Sequence, residues 1–146
     1  MNNSKESHNN GIIGPILEGF YLHDLVQVIV GATLLAIPVG FTQEVWEMGE
    51  KLPLINVGAF FLMAVTFISI FTYYHYHSHH EKVNKRWPAF IKRVLITYLF
   101  SLITVGIILT VIDQAPWQLD LFLAIKRVVI VAFPASMSAA VADTLK

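Results

Sequence analysis

The chain has 146 residues, of which 55% are hydrophobic and 14% charged, and its formal net charge is zero. Soluble domains carry about 25% charged residues, and the mean hydropathy here is +0.62. This composition excludes intrinsic disorder, a nucleic-acid binder and an ordinary soluble enzyme, and leaves an integral membrane protein of one domain. With no cysteine, disulfides and thiolate chemistry are also excluded.

Residues 1–24 read as a polar tail followed by an interfacial lead-in, Gly11–Asp24, which Pro15 interrupts. No removable signal peptide is expected, because no basic stretch runs into an apolar one with a small-residue cleavage site. Residues 25–146 read as an all-α transmembrane domain. A helix needs about 20 apolar residues to cross ~30 Å of hydrocarbon, and four runs approach or exceed that length. The first, Leu25–Phe41, extends to about residue 45 beyond Pro38. The second and third, Leu54–Tyr74 and Val94–Ile112, hold no charge. The fourth, Leu121–Ala142, is interrupted by Lys126 and Arg127. Strand alternation is absent, so a β-barrel is not expected.

Orientation follows from Lys and Arg. Segment 75–93 holds Lys82, Lys85, Arg86, Lys92 and Arg93 against Glu81 alone, which places it in the cytoplasm. Four spans then put both termini there as well. The connections Thr42–Pro53 and Asp113–Asp120 fall outside and are acidic, with Trp46 and Trp117 as interfacial anchors. The expected location is the inner (plasma) membrane.

Four features are candidates for chemistry. Ala32, Ala36 and Gly40 repeat every four residues, and the next step is Glu44. Small residues let helices approach closely, so this line is either a packing seam or a seam opening into an acidic mouth. In the second case Glu44, Thr42 and Glu47, with carbonyls freed near Pro38, would offer oxygen ligands to a small cation. The second feature is an echo: Ala36–Thr42 and Ala132–Ser138 share a small–apolar–proline pattern ending in a hydroxyl. Paired proline-broken spans mark binding sites in many transporters, which adds Ser136 and Ser138 to the candidate pathway. Third, Lys126 and Arg127 are costly inside an apolar span. They either snorkel to the outer headgroups or pair with Asp113, Asp120 or Glu44. Fourth, His75, His77, His79 and His80 form a single histidine run. It is either a polar stretch at the membrane exit or a labile Zn²⁺ or Ni²⁺ site. Membrane di-iron oxygenases need further histidine boxes, which are absent here.

Three stretches, Pro38–Trp46 (PVGFTQEVW), Ile112–Trp117 (IDQAPW) and Lys126–Ser138 (KRVVIVAFPASMS), resemble an uncharacterised prokaryotic family of integral membrane proteins classed as a domain of unknown function. The resemblance implies a compact multi-helix membrane protein. It supplies no activity and no catalytic residues.

The leading expectation is therefore a small-cation channel or carrier subunit with an acidic outer mouth. The rival is a non-transport scaffold, assembly factor or sensor acting through the basic loop 75–93. No catalytic constellation and no cofactor motif is present, so an enzyme is not expected. Expected partners are membrane lipids and a second copy of the chain, because polar residues on every span need buried partners; no nucleic acid is expected.

Overall fold

A computed structural model describes residues 22–78 and 87–145, with side chains given for all of these except 75–78. It is helical, and no strand occurs among the described residues. The helices are α1 (Leu22–Gly40), α2 (Gln43–Lys51), α3 (Leu54–Ser78), α4 (Trp87–Val111) and α5 (Leu121–Thr144). Four of them, α1, α3, α4 and α5, are long and apolar enough to cross a membrane. The chain is thus a multi-pass, all-α membrane protein.

The first span is where the sequence reading and the fold part. The apolar run does not continue as one helix to residue 45. It ends at Gly40, and a short helix, α2, begins at Gln43 after an extended Thr42. The break is stabilised locally. The Thr42 hydroxyl donates to the Val39 carbonyl at 2.8 Å, and the Trp46 indole donates to the Gly40 carbonyl at 2.8 Å. Both go to the last carbonyls of α1, which the end of a helix leaves short of intrahelical donors; the Val39 carbonyl also accepts from the Thr42 amide at 3.2 Å. α2 is amphipathic: Val45 and Gly49 are buried, Met48 and Leu52 pack on the core, and Glu44 and Glu50 are exposed.

The fourth span, α5, packs against every other helix, α1, α3, α4 and α2. Its sequence explains this central place. Ala124, Ala132, Ala135, Ala139 and Ala140 are buried along it. In lipid no hydrophobic force draws helices together, so association depends on close van der Waals packing, which small side chains permit. The backbones of α1 and α5 come close at Gly31. A Cβ added there would stand 2.7 Å from Ala142 Cβ, 2.8 Å from Ala139 Cα and 2.9 Å from the Ser138 carbonyl oxygen. α1 and α3 both lean on the α4–α5 pair. The other side of α3 presents Ile55, Leu62, Met63 and Ile70 outward, as lipid requires.

The hydroxyls on the spans are largely satisfied within their own helices. Thr33, Thr66, Ser69, Ser101, Thr104 and Thr110 each donate to the carbonyl four residues back, at 2.6–2.8 Å. Ser136 donates to Phe133 at 2.9 Å. Such back-bonding removes the need for a partner helix. These hydroxyls therefore do not demand an oligomer, although the sequence reading used them to infer one.

Candidate functional site

α5 carries one buried charge near each end, and each is bound to another element. Arg127 lies near the α2 end. Its Nη2 donates to Glu50 Oε1 at 2.8 Å, and its Nη1 donates to the Gln114 carbonyl at 2.9 Å and to Gln114 Oε1 at 3.3 Å. The pair is asymmetric: the arginine side chain is 9% exposed and the glutamate 58%. Gly49 lets this happen, since a Cβ there would stand 2.6 Å from Arg127 Cγ. Gln114 is aimed by the end of α4. The Gln114 amide bonds to the Leu109 carbonyl at 2.8 Å and the Asp113 amide to Thr110 at 3.1 Å. Asp113 adopts φ 58°, so the turn is a Schellman cap with Asp113 in its left-handed position.

Asp143 lies near the opposite end of α5. Arg93 of α4 grips it through Nε at 2.9 Å and through Nη2 at 2.7 and 2.8 Å. Side-chain exposures are 15% for Arg93 and 6% for Asp143, so both charges sit away from water. Sixteen residues separate Arg127 from Asp143, about 24 Å along the axis and about 160° around it. The two pairs thus hold nearly opposite faces of one helix, one near each membrane border, and fix both its depth and its rotation.

The sequence candidates fall into place around this frame. The acid that meets Arg127 is Glu50, rather than Asp113, Asp120 or Glu44. Asp113 shapes the α4 cap, and Asp120 caps α5 by accepting from the Leu123 amide at 3.0 Å. Lys126 is half-buried and has no ion pair among the described residues. Glu44 is exposed and does not extend the Ala32–Ala36–Gly40 seam, because the helix ends at Gly40; Val45 and Gly49 face the core instead. Glu47 bonds to Lys51 at 2.7 Å and to Gln43 at 3.2 Å. The hydrogen bond from Lys51 holds the Glu47 carboxyl below its ordinary range. Thr42 and Trp46 bond to the carbonyls of Val39 and Gly40, at the end of α1 just past Pro38. Ser136 is fully buried and Ser138 half-buried. Both lie on the part of α5 far from Glu44, so the structure does not bring the proposed pathway residues together within one chain.

The proline echo also diverges. Pro38 stands at the end of α1, whereas Pro134 lies inside α5 with helix continuing to Thr144. The acids nine residues beyond them meet different fates, Glu47 at the surface and Asp143 in the interior. His75 and His77 fall on the last turns of α3 with side chains outside the described set, and His79 and His80 lie outside the described residues. An apolar groove of about 310 Å³ is lined by Ile29, Val30, Thr33, Leu34, Ile37 and Pro38. All six belong to α1, so the groove opens on the outside of the bundle.

Sequence reasoning missed Arg93–Asp143 and Glu50. A signal for the first was present: with four alternating spans, Arg93 and Asp143 are opposite charges at the same end of neighbouring helices. No comparable signal marked Glu50, whose position depends on the break at Thr42.

The family model described as "Putative integral membrane protein (DUF2391)" matches residues 2–145. The chain belongs to this family. No curated protein and no solved structure matches it. In this family member the match spans α1 to α5, so both ion pairs lie within the family domain.

The asymmetry of the Arg127 pair gives a direct expectation. Glu50→Ala strands a guanidinium in a poorly hydrated place and is expected to cost about 3 kcal/mol, the lower end of the range for broken buried pairs. Arg127→Met keeps a stem against Gly49 and removes the charge. The double variant Glu50→Ala/Arg127→Met is therefore expected to recover most of the loss, as read by thermal unfolding in detergent and a double-mutant cycle. Equal losses in the single and double variants would show that the ion pair is not what holds α2.

Proposed function

We propose that this protein is a non-transport membrane scaffold: a rigid four-helix unit that holds a cytoplasmic partner protein through the basic segment 75–93. The observation that supports it is the use of the interior. The central helix packs against every other helix with alanines buried along it, and both of its buried charges are committed to ion pairs. The exposed charges gather at the two rims, acidic on α2 and basic in segment 75–93, while inside the spans the buried Gln27 Oε1 and Tyr98 hydroxyl have no hydrogen-bond partner among the described residues. Residues 79–86 of that segment lie outside the described residues, and their charge is read from the sequence. In this reading the segment faces the cytoplasm across an inner membrane, the chain performs no catalysis, and copies associate through their lipid-facing helices.

A second reading keeps a small-cation pathway. It draws on Glu44, an exposed carboxylate at the rim of α2, which symmetric copies would gather around a shared axis. One experiment separates the two. Proteoliposomes holding this protein alone are expected to pass K⁺, Na⁺ and Ca²⁺ no faster than empty vesicles. In cells, a photo-crosslinker at position 85 is expected to trap a partner, and Lys82→Gln/Arg86→Gln to weaken the trapping. Cation flux that Glu44→Gln lowers at least tenfold would replace the scaffold by the pathway.

A further inference from the structure

The two connections at the α2 end of the bundle differ in what they expose. On α2 the exposed positions are Gln43, Glu44, Glu50 and Lys51, all of them polar. The connection 113–120 and the first turn of α5 expose large apolar side chains instead: Trp117, Leu119, Leu121 and Phe122. Leu119 is the most open of them, at 93%. Single exposed apolar side chains are ordinary, but a group of this size within one short stretch marks a surface with a partner.

The backbone of this connection is held by the chain itself. Asp113, Gln114, Trp117, Leu119 and Asp120 each donate their amide to a carbonyl of the chain, at 2.8–3.2 Å, and Pro116 has no amide to donate. The Trp117 indole turns back to α4 and donates to the Thr110 hydroxyl at 2.8 Å. The donors of the segment are thus mostly spent internally, as an apolar surrounding requires. The patch also continues the lipid-facing surface of the spans. Ile103, Ile107 and Val111 are exposed at four-residue steps on one face of α4, which ends where the connection begins. The bond to Thr110 lays Trp117 back beside the end of that face. On α5, Leu121, Phe122 and Ile125 are exposed in turn.

We propose that the connection 113–120, with the first turn of α5, is a lipid-inserting anchor: its partner is the boundary between headgroups and acyl chains of the bilayer, rather than water. Trp117, Leu119, Leu121 and Phe122 enter the acyl side of that boundary, and the exposed Asp113, Gln118 and Asp120 stay at headgroup level. The same turn carries Gln114, which holds Arg127 through its carbonyl and its Oε1. The membrane border thus seats the segment that satisfies a buried arginine. The anchor does not depend on the scaffold reading, since it requires only that α4 and α5 span a membrane.

The chain has no cysteine, so a nitroxide can be placed at one position at a time in the full-length protein. Leu119→Cys is the test position, with Glu44→Cys on α2 and Ile107→Cys on α4 as references. All three replace exposed side chains, so packing is not disturbed. In proteoliposomes of phosphatidylcholine and phosphatidylglycerol, electron paramagnetic resonance compares collisions with oxygen, which concentrates in hydrocarbon, and with a water-soluble nickel chelate. The oxygen-to-nickel ratio at position 119 is expected to exceed that at 44 by about fivefold and to approach that at 107, as for a side chain seated ~5–10 Å into the boundary. A ratio at 119 equal to that at 44 would place the patch in water and overturn the proposal. Low collision with both reagents would mean that protein covers the patch, and would overturn it too; disulfide crosslinking between two Leu119→Cys copies would then identify the cover as a second copy of the chain.

Discussion

Asp143→Ala is expected to be the most damaging single charge removal in the chain. It removes the carboxylate that takes three short contacts from the largely buried Arg93 guanidinium. Breaking a buried pair by deleting one partner costs about 3–5 kcal/mol. The expected outcome is a sharp loss of detergent-resistant folded protein. Asp143→Asn should fall between, because its amide oxygen still accepts a hydrogen bond while the charge is lost. The exchange Arg93→Asp/Asp143→Arg should restore part of the stability. If Asp143→Ala unfolds at the wild-type temperature, water reaches this end of the bundle and the pair contributes little.

Gly31→Ala should also destabilise the bundle, through sterics alone. Its new methyl would lie 2.7–2.9 Å from three atoms of α5, two of them backbone. Backbone cannot rotate away, so α1 and α5 must separate along their main contact. Overpacking of this kind costs about 1–3 kcal/mol, and Gly31→Leu should prevent assembly of α1 onto the bundle. Ala142→Gly is expected to rescue Gly31→Ala only in part. It removes the contact with Ala142 Cβ but leaves Ala139 Cα and the Ser138 carbonyl in place. Full rescue would mean that the α5 backbone yields more easily than this geometry implies. The readout is the unfolding midpoint together with cysteine crosslinking between α1 and α5.

What the sequence made legible is what local composition controls. Long apolar runs dictate spans, because every backbone polar group in lipid must be satisfied internally. Ala32, Ala36 and Gly40, which the sequence leaves open between a packing seam and an acidic mouth, are all buried. The extrapolation to Glu44 failed because periodicity holds only while the helix continues. Two side-chain bonds, from Thr42 and Trp46, end it first. The depth problem of Arg127 was visible, but its solution was not. The partner is 77 residues away in sequence, and nothing local distinguishes Glu50 from Glu44 or Glu47. Asp113 and Asp120 looked like partners because they are acids near a buried base, yet backbone geometry at two helix ends uses them instead.

The position of α5 in the chain bears on how the protein is made. The helix that touches all the others is the last of the five to leave the ribosome. Until it arrives, α1 has only α4 and the short α2 to lean on, α3 has only α4, and Arg93 and Glu50 lack their partners on α5. A nascent chain stopped before residue 121 therefore holds three inserted spans that lack both ion pairs to α5 and expose their small-residue faces. Completion is then all-or-none: one late insertion closes both ion pairs and the Gly31 contact together.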